Sequence, residues 1–553
     1  MANPASSNRE DSPFRQGVIA PWPRATALTL AAVVVAFGLL VKLYTGHVWE
    51  DFLITFRFSE NLVKGNGLVY EPGERVFGFT SPLDGVLPAL FKAILGGPEY
   101  FRALWAFALT SLCVMGLGIV AYARMLGGTP PKRARAEVFI LTVGLILNVK
   151  VVMNAINGQE AGLWAGFLLM AFAALLRPDS GWKALGLAAG GLLWTRPDSP
   201  IQIALLAFGA LLFWGESRRD LLARMAKAAA LAAAIYLPWF AWTTWYYGSP
   251  MPHTITAKIN MFGGIPGLMP KLVFFIHVLP EAVGDAFQPI YSGSGGWPDW
   301  VALFGHILGV LCSLYWLLPI RDRLARIASF FYFGSALYLG CVGVSGLIFP
   351  WYYIPCCVSG SIVVSRVVAA QLDSARWRPA ALAVLATITV CLGYQMLFSC
   401  FQLKLRQTMV ENGTRRHVGL WLHDHMQKGQ TVFLEPIGYI GYYSAAHILD
   451  YPGLVSPSVV EARRRSGQGF YGCIDILKPD WLVVRPGDLD AIRQVPAVRS
   501  SYAVAWEYDT GPYWEKFAGL PGTGFLTADS RLIVLRRLRK EPQAQVAGPA
   551  AAH

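Results

Sequence analysis

Charge is scarce in this chain of 553 residues, where Asp, Glu, Lys and Arg together make up only 15%. A soluble globular protein carries about 25%. The shortage excludes a cytosolic enzyme and a disordered chain. Hydrophobic residues, at 54% with 19 Trp, take the place of the missing charge. Cysteine is scarce as well. Of the eight, Cys113, Cys312, Cys341 and Cys391 fall inside apolar runs, Cys356 and Cys357 are adjacent, and no CxxC pair occurs. That spacing supports neither a zinc site nor the disulfide framework of a small secreted protein. Acid is the rarer charge, 34 Asp+Glu against 47 Lys+Arg, for a net of +13. The excess base is spread over short loops between apolar runs, so no nucleic-acid partner is expected. Residues 1–24 are polar, with Arg9, Arg15 and Arg24, and no small-residue cleavage site follows. The first apolar run is therefore read as an uncleaved span. No fixed-period repeat and no pairing of two similar halves is apparent.

What the chain does have is apolar runs, many near the 20 residues needed to cross about 30 Å of hydrocarbon. Eleven spans are predicted: 25–44, 101–123, 138–153, 161–176, 184–194, 201–214, 228–245, 300–320, 327–348, 351–370 and 380–399. The runs at 184–194 and 201–214 are short and need snorkelling flanks or a thinned bilayer. The run 85–95 is apolar but only about 11 residues long, which suits an interfacial or re-entrant helix. If 85–95 does not cross, the basic loops carrying Arg124, Lys132 and Arg133, then Arg177 and Lys183, then Arg218 to Lys227, then Arg321 to Arg326, then Arg376 and Arg378 share one side with the N-terminus. Short basic loops face the cytoplasm. The N-terminus is thus expected inside, and 47–100 and everything after Phe401 outside, in a bacterial plasma membrane.

After Phe401 the composition changes. A helix-like polar segment (414–427), strand-like runs (431–434, 481–484, 532–535) and many Gly and Pro turns predict a small α/β domain. The expected organisation is a cytoplasmic tail (1–24), a membrane domain (25–400) with its first outer loop at 46–100, an extracytoplasmic α/β domain (401–540) and a disordered Ala/Pro/Gln-rich tail (541–553). Charged residues of chemical interest fall on the outer loops, so an active site is expected at the outer face.

The first outer loop begins His47-Val-Trp-Glu-Asp-Phe-Leu-Ile-Thr-Phe-Arg. Its apolar residues fall near helical spacing, which predicts an amphipathic helix at the membrane interface. Glu50 and Asp51 open that helix. A carboxylate there can take a proton from an alcohol, or serve only the helix dipole.

The stretch Glu50-Asp-Phe-Leu-Ile-Thr-Phe-Arg…Gly65-Asn-Gly-Leu-Val-Tyr…Gly73-Glu-Arg-Val…Gly78-Phe-Thr-Ser-Pro resembles the opening motif of GT-C membrane glycosyltransferases, which use polyprenyl-phosphate sugars. Within them it is most similar to the mycobacterial terminal β-(1→2)-arabinofuranosyltransferase group. Asn157-Gly-Gln-Glu-Ala-Gly-Leu, Thr195-Arg-Pro-Asp, Tyr247-Gly-Ser-Pro-Met-Pro-His-Thr-Ile-Thr-Ala-Lys and Gly438-Tyr-Ile-Gly-Tyr-Tyr-Ser…Asp450-Tyr-Pro-Gly-Leu extend the resemblance in order to about Pro457. Departures are Glu50 for the usual Asp, Gly-Gln-Glu-Ala for Gly-Met/Leu-Glu-Thr, Arg-Pro-Asp-Ser for Arg-Pro-Glu-Gly, and His253 for Asn.

The resemblance implies a GT-C fold of about 11 spans with a C-terminal α/β domain. It implies transfer of a monosaccharide, arabinofuranose among the candidates, from a polyprenyl-phosphate donor to an envelope glycan or glycolipid. Asp51 and Glu50 are the catalytic candidates, with Asp51 favoured as base. Arg57, Arg75, Arg196, His253 and Lys258 are candidates for the phosphate, although Arg196 would also pair with Asp198 and Lys258 would also anchor at the interface. Gln159, Glu160 and Asp198 belong to the matching motifs. Tyr352 and Tyr353 could stack on sugar or form part of an aromatic belt, and Glu435 could reach over the site or cap a turn. No metal ligand set is assigned, since His423-Asp424-His425 reads as solvated surface, and a divalent metal is left open. The competing class is a transporter or flippase of lipid-linked sugar. It calls for polar residues in mid-membrane on broken helices, whereas the spans here read as plain. An inactive envelope scaffold is the third class.

Overall fold

The computed structural model describes residues 24–175, 181–213, 217–261, 267–320, 322–345, 347–467 and 470–538. The expected cytoplasmic tail up to residue 23 and the disordered tail 541–553 lie outside the described residues, as do Arg177 and Arg321. The first half is helical: α1 (Arg24–Thr45), α2 (Glu50–Val63), α3 (Pro82–Leu95), α4 (Phe101–Met125), α5 (Pro131–Leu147), α6 (Val149–Ile156), α7 (Ala161–Leu175), α8 (Gly181–Thr195), α9 (Ser199–Phe213) and α10 (Arg218–Tyr247). There follow α11 (His253–Met261), α12 (Leu268–Gly284), α13 (Asp299–Leu314), α14 (Arg323–Ser345), α15 (Ile354–Leu372) and α16 (Arg378–Leu405). Among the described residues seven helices are long and apolar enough to cross a membrane, or eight if α5 and α6 count as one bent span. The helices α7, α8 and α9 have 15 residues each, about 22 Å at 1.5 Å per residue. The expected count of eleven spans is thus met only in its longer members.

Three local features differ from the sequence reading. The run 138–153 is not one straight helix, because the chain bends by 65° between α5 and α6. Asn148 makes the break. Its side chain caps α6 by accepting from the Val151 N–H at 3.2 Å, and it donates to the Ala286 carbonyl at 2.8 Å. Next, the stretch before α13, read as an outer loop, contains α12. This apolar helix runs down α14, with Phe275 against Gly340, Val278 against Gly343 and the Tyr332 hydroxyl donating to the Val283 carbonyl at 2.5 Å. It then turns at Asp285–Phe287, level with Tyr332 in the middle of α14. Its other side exposes Leu268, Met269, Val273 and Ile276, as a lipid-facing side would. Irregular backbone at membrane depth must be buried in protein and satisfied. Lys150, fully buried, does this by donating to the carbonyls of Asp285 (2.5 Å), Gln288 (2.7 Å) and Pro289 (3.1 Å) while pairing with the Asp285 carboxylate at 3.2 Å. The spans are therefore not plain.

The third difference is α2. It forms where its periodicity predicts, but most of its apolar residues are covered by protein rather than left free to face lipid. Phe52, Leu53, Phe56 and Phe58 are all buried, between α3 and α4 on one side and the C-terminal region on the other. The 14-residue α3 is too short to span, as expected for the 85–95 run, and starts with Ser81 accepting from the Asp84 N–H and with Pro82 in the first turn.

Beyond α16 the chain passes through a π-helical stretch (Arg406–Arg415) into α17 (Arg416–His425). Then come β1 (Thr431–Leu434), α18 (Tyr439–Ser444), β2 (His447–Asp450), α19 (Pro457–Ser466), β3 (Trp481–Val484), β4 (Tyr502–Asp509) and β5 (Arg531–Arg537). The sheet order is β2-β1-β3-β5-β4, with the first three strands parallel and the last two antiparallel to their neighbours. Successive strand residues alternate faces. Val432, Leu434, Trp481, Val483, Leu532 and Val534 pack toward α17 and the loop after α2, and Phe433, Leu482, Val484, Ile533 and Leu535 toward α19. The carboxyl ends of β1, β2 and β3 point at the helical bundle. There the Tyr70 hydroxyl donates to the Ile437 carbonyl at 3.1 Å and the Gly438 N–H donates to Glu50 at 2.8 Å.

Candidate active site

Where the bundle meets the sheet, a small open cleft is lined by Asp51 and Thr55 of α2, Thr80, Ser81 and Asp84 around the start of α3, Gln159, Thr254 and Lys258 of α11, Trp351, Tyr352 and Leu454. Its position depends on a close fit at the first turn of α2. Gly158 holds φ +101°, and a Cβ on it would lie 2.4 Å from the Phe52 ring. The preceding Asn157 carbonyl accepts from the Trp49 N–H at 3.0 Å. On the opposite side a Cβ on Gly438 would sit 2.3 Å from the Glu50 carbonyl oxygen. Glycine alone allows both approaches.

The two adjacent acids have different surroundings. Glu50 is engaged at both oxygens: one accepts from the Gly438 N–H at 2.8 Å, and the other pairs with Arg415 at 2.5 Å. Burial pushes its carboxyl above the ordinary range, and Arg415 pulls the other way. Arg415 also pairs with Glu411 at 2.9 Å and with Asp529, and Asp529 in turn pairs with Arg485 at 2.5 Å. Arg485 reaches Glu435, which also accepts from the Tyr451 hydroxyl at 3.3 Å. Asp51 faces the cleft and has no hydrogen-bond or ion-pair partner among the described residues. Burial raises it to about 6, with Lys258 and Arg415 opposing and Glu160 and Glu435 adding to the rise.

Lys258 stands across the cleft, donating to the Tyr352 hydroxyl at 3.0 Å with its ammonium 4.8 Å from the centre of the Phe349 ring. Arg196 is buried and committed, pairing with Glu160 at 2.6 Å and Asp198 at 2.8 Å between the rings of Trp164 and Tyr352. Its pairing reading therefore has the geometry, and it touches the cleft only through Tyr352. Gln159 lines the cleft, while Glu160 sits behind it. The other candidates lie elsewhere. Arg57 joins α2 to the carbonyls of Tyr70 and Gly441 and to Glu71. Arg75 is exposed over the Tyr246 ring at 4.8 Å. The His253 N–H donates to the Phe77 carbonyl, and burial lowers its imidazole. Tyr353 points into the bundle under Lys150 at 5.3 Å, and Glu435 belongs to the ion chain.

Asp84 was not foreseen. It is 7% exposed, one of its oxygens is unpartnered, and its carboxyl lies close enough to Glu160 to feel its charge. Burial, and next the Glu160 charge, push it well above the ordinary range. As the third residue of a helix it carried no signal beyond N-terminal charge. Thr254 also lines the cleft with a buried, unpartnered hydroxyl. Among the described residues no three His, Cys, Asp or Glu side chains converge as metal ligands.

A family known as a domain of unknown function (DUF8728) matches residues 404–532, which is the sheet region and its approach. No curated protein matches the chain in sequence. Solved structures do match in shape. ArnT from Cupriavidus metallidurans bound to undecaprenyl phosphate superposes with TM-score 0.54 at 14% identity, covering 95% of this chain and 100% of that one. The chain shares the fold of ArnT. Its apo state gives 0.55 at 14% identity over 92% and 98% of the two chains. AglB from Archaeoglobus fulgidus, in complex with an inhibitory peptide and a dolichol-phosphate, gives 0.50 at 12% over 88% and 73%.

Proposed function

We propose that this protein is an integral membrane glycosyltransferase that moves one monosaccharide from a polyprenyl-phosphate donor to a hydroxyl of an envelope glycan or glycolipid at the outer membrane face. The observation that carries the reading is the unpartnered Asp51 carboxylate facing Lys258 and Tyr352 across one cleft, in a fold whose solved examples hold undecaprenyl phosphate and a dolichol-phosphate. The acceptor oxygen attacks the anomeric carbon while Asp51 takes its proton. The bond from that carbon to the phosphate oxygen breaks, and its electron pair leaves with the polyprenyl phosphate. Lys258 and the Tyr352 hydroxyl meet the charge that develops there. Glu50 is a poor base because both its oxygens are already engaged.

The test is incubation of purified protein with a panel of polyprenyl-phosphate monosaccharides, arabinofuranose included, and measurement of polyprenyl phosphate release. No release from any donor would reject the reading. Reporter fusions test the face: those after Thr129, Ser217 and Asp322 should report cytoplasm, and one after Gly429 the outside.

The break at Asn148 and the re-entrant α12 favour a second reading, a flippase of lipid-linked sugar. Against it, every proton of the Lys150 ammonium is taken by a carbonyl or carboxylate oxygen, as in a scaffold. Proteoliposomes that move lipid-linked sugar between leaflets without releasing lipid phosphate would decide for the flippase.

A further inference from the structure

The chain of opposite charges that begins at Glu50 does not end within the bundle. From Arg415 it passes to Asp529 beside β5, to Arg485 after β3 and to Glu435 after β1, all at the sheet end that faces the cleft. Arg415 is 3% exposed, sits among three carboxylates, and is 365 positions from Glu50. Successive helical residues point about 100° apart. A grip on Glu50 from one side and the contact of Gly158 with Phe52 from the other therefore leave α2 no freedom to rotate, and Asp51 is directed into the cleft.

We propose that Arg415 is a positioning residue for the transfer reaction, which by holding Glu50 aims Asp51 at the acceptor and sets a positive charge on its side of the cleft. This rests on the glycosyltransferase reading. The charged groups that act on Asp51 come from every side: Lys258 from α11, Glu160 from the turn before α7, Glu435 from the end of β1, and Arg415 itself. Two of the four, Glu435 and Arg415, belong to the C-terminal region and have opposite signs. That region thus aims a carboxylate that lies outside it and adds two opposed charges to its surroundings.

The two signs make the test specific. A base must be ionised, so turnover in wild-type protein should rise with pH along an acid limb. Arg415→Met removes a positive charge that favours the carboxylate, so the limb should move to higher pH by about half a unit. Its kcat should fall about tenfold, with affinity for polyprenyl phosphate unchanged. Arg415→Lys should restore most of the limb position. Glu435→Gln removes a negative charge and should move the limb to lower pH. A merely structural contact would lower the yield of folded protein and leave both limbs in place. An active wild type with unmoved limbs in Arg415→Met and Glu435→Gln overturns the proposal alone, whereas a wild type that transfers no sugar overturns the underlying reading. Should Arg415→Met not fold, Glu50→Gln decides, because it weakens the same grip: a kcat about tenfold lower with affinity for polyprenyl phosphate unchanged upholds the proposal, and an unchanged kcat rejects it.

Discussion

The bundle buries charge in two places, and they are built in opposite ways. Around Lys150 the ammonium is surrounded by three carbonyls and a carboxylate, and the re-entrant turn after α12 closes over it. Around the cleft Asp51 has no partner, Asp84 keeps one oxygen unpartnered and the Thr254 hydroxyl is unpartnered as well. Both places bear the cost of burying charge at or near membrane depth. Only the first recovers it within the fold. Burial of a charge therefore does not by itself mark a site, whereas buried polar atoms left without partners around a common space do.

Substitutions can break this comparison or sharpen it. Asp51→Asn should have the largest effect, a fall in turnover of about 10²–10⁴-fold with donor binding retained, as measured by single-turnover transfer and lipid-phosphate binding. Near-normal turnover would place the base elsewhere. Lys150→Met should act on stability instead, costing about 3–5 kcal/mol because it leaves Asp285 buried and unpaired. Unfolding in detergent should show that loss, and the folded fraction should bind donor normally. Impaired binding with stability intact would make Lys150 part of a ligand site and erase the contrast. Lys258→Met should weaken donor binding by about ten- to a hundred-fold, the worth of a charge-assisted contact, with little change in unfolding.

The smallest effect is one of pH. The Asp51 carboxyl is raised to about 6. Being raised, it is protonated and inactive below that value and ionised above it. Turnover at limiting substrate should then be half its plateau near pH 6 and fall about tenfold per unit below. A limb near pH 4, the ordinary range of an aspartate, would mean that the base is a solvated carboxylate.

Much of the secondary structure could be read in the sequence because it depends on local pattern. The apolar runs that became β1, β3 and β5 are bounded by turns, and α3 is too short to cross. The break at Asn148 could not be read, since one Asn in an apolar run is silent until Ala286 accepts its proton. Nor could α12, whose apolar run is interrupted by Pro270, Lys271, His277 and Pro280. In the site, motif position led to Asp51, Gln159 and Lys258, and aromatic character led to Tyr352; the structure gathers all four on one cleft. Motif position led equally to Arg57 and Arg75, which face other neighbours, because a motif records that a residue matters locally and not where it points. Glu411, Arg415 and Asp529 went unnoticed because the partner that gives them meaning, Glu50, lies more than 360 positions away.

The hydrogen bond from Gly438 to Glu50 spans 388 positions, and this distance has a consequence in time. A ribosome adds about 5–20 residues per second, so roughly 20 to 80 s separate the synthesis of Glu50 from that of Gly438. During that interval all the helices from α3 to α16 are made, and the first turn of α2 waits with its acids unheld. A nascent chain can thus thread and pack its membrane helices before Glu50 is gripped. The first turn of α2 is fixed only when the last quarter of the chain has been made and has docked.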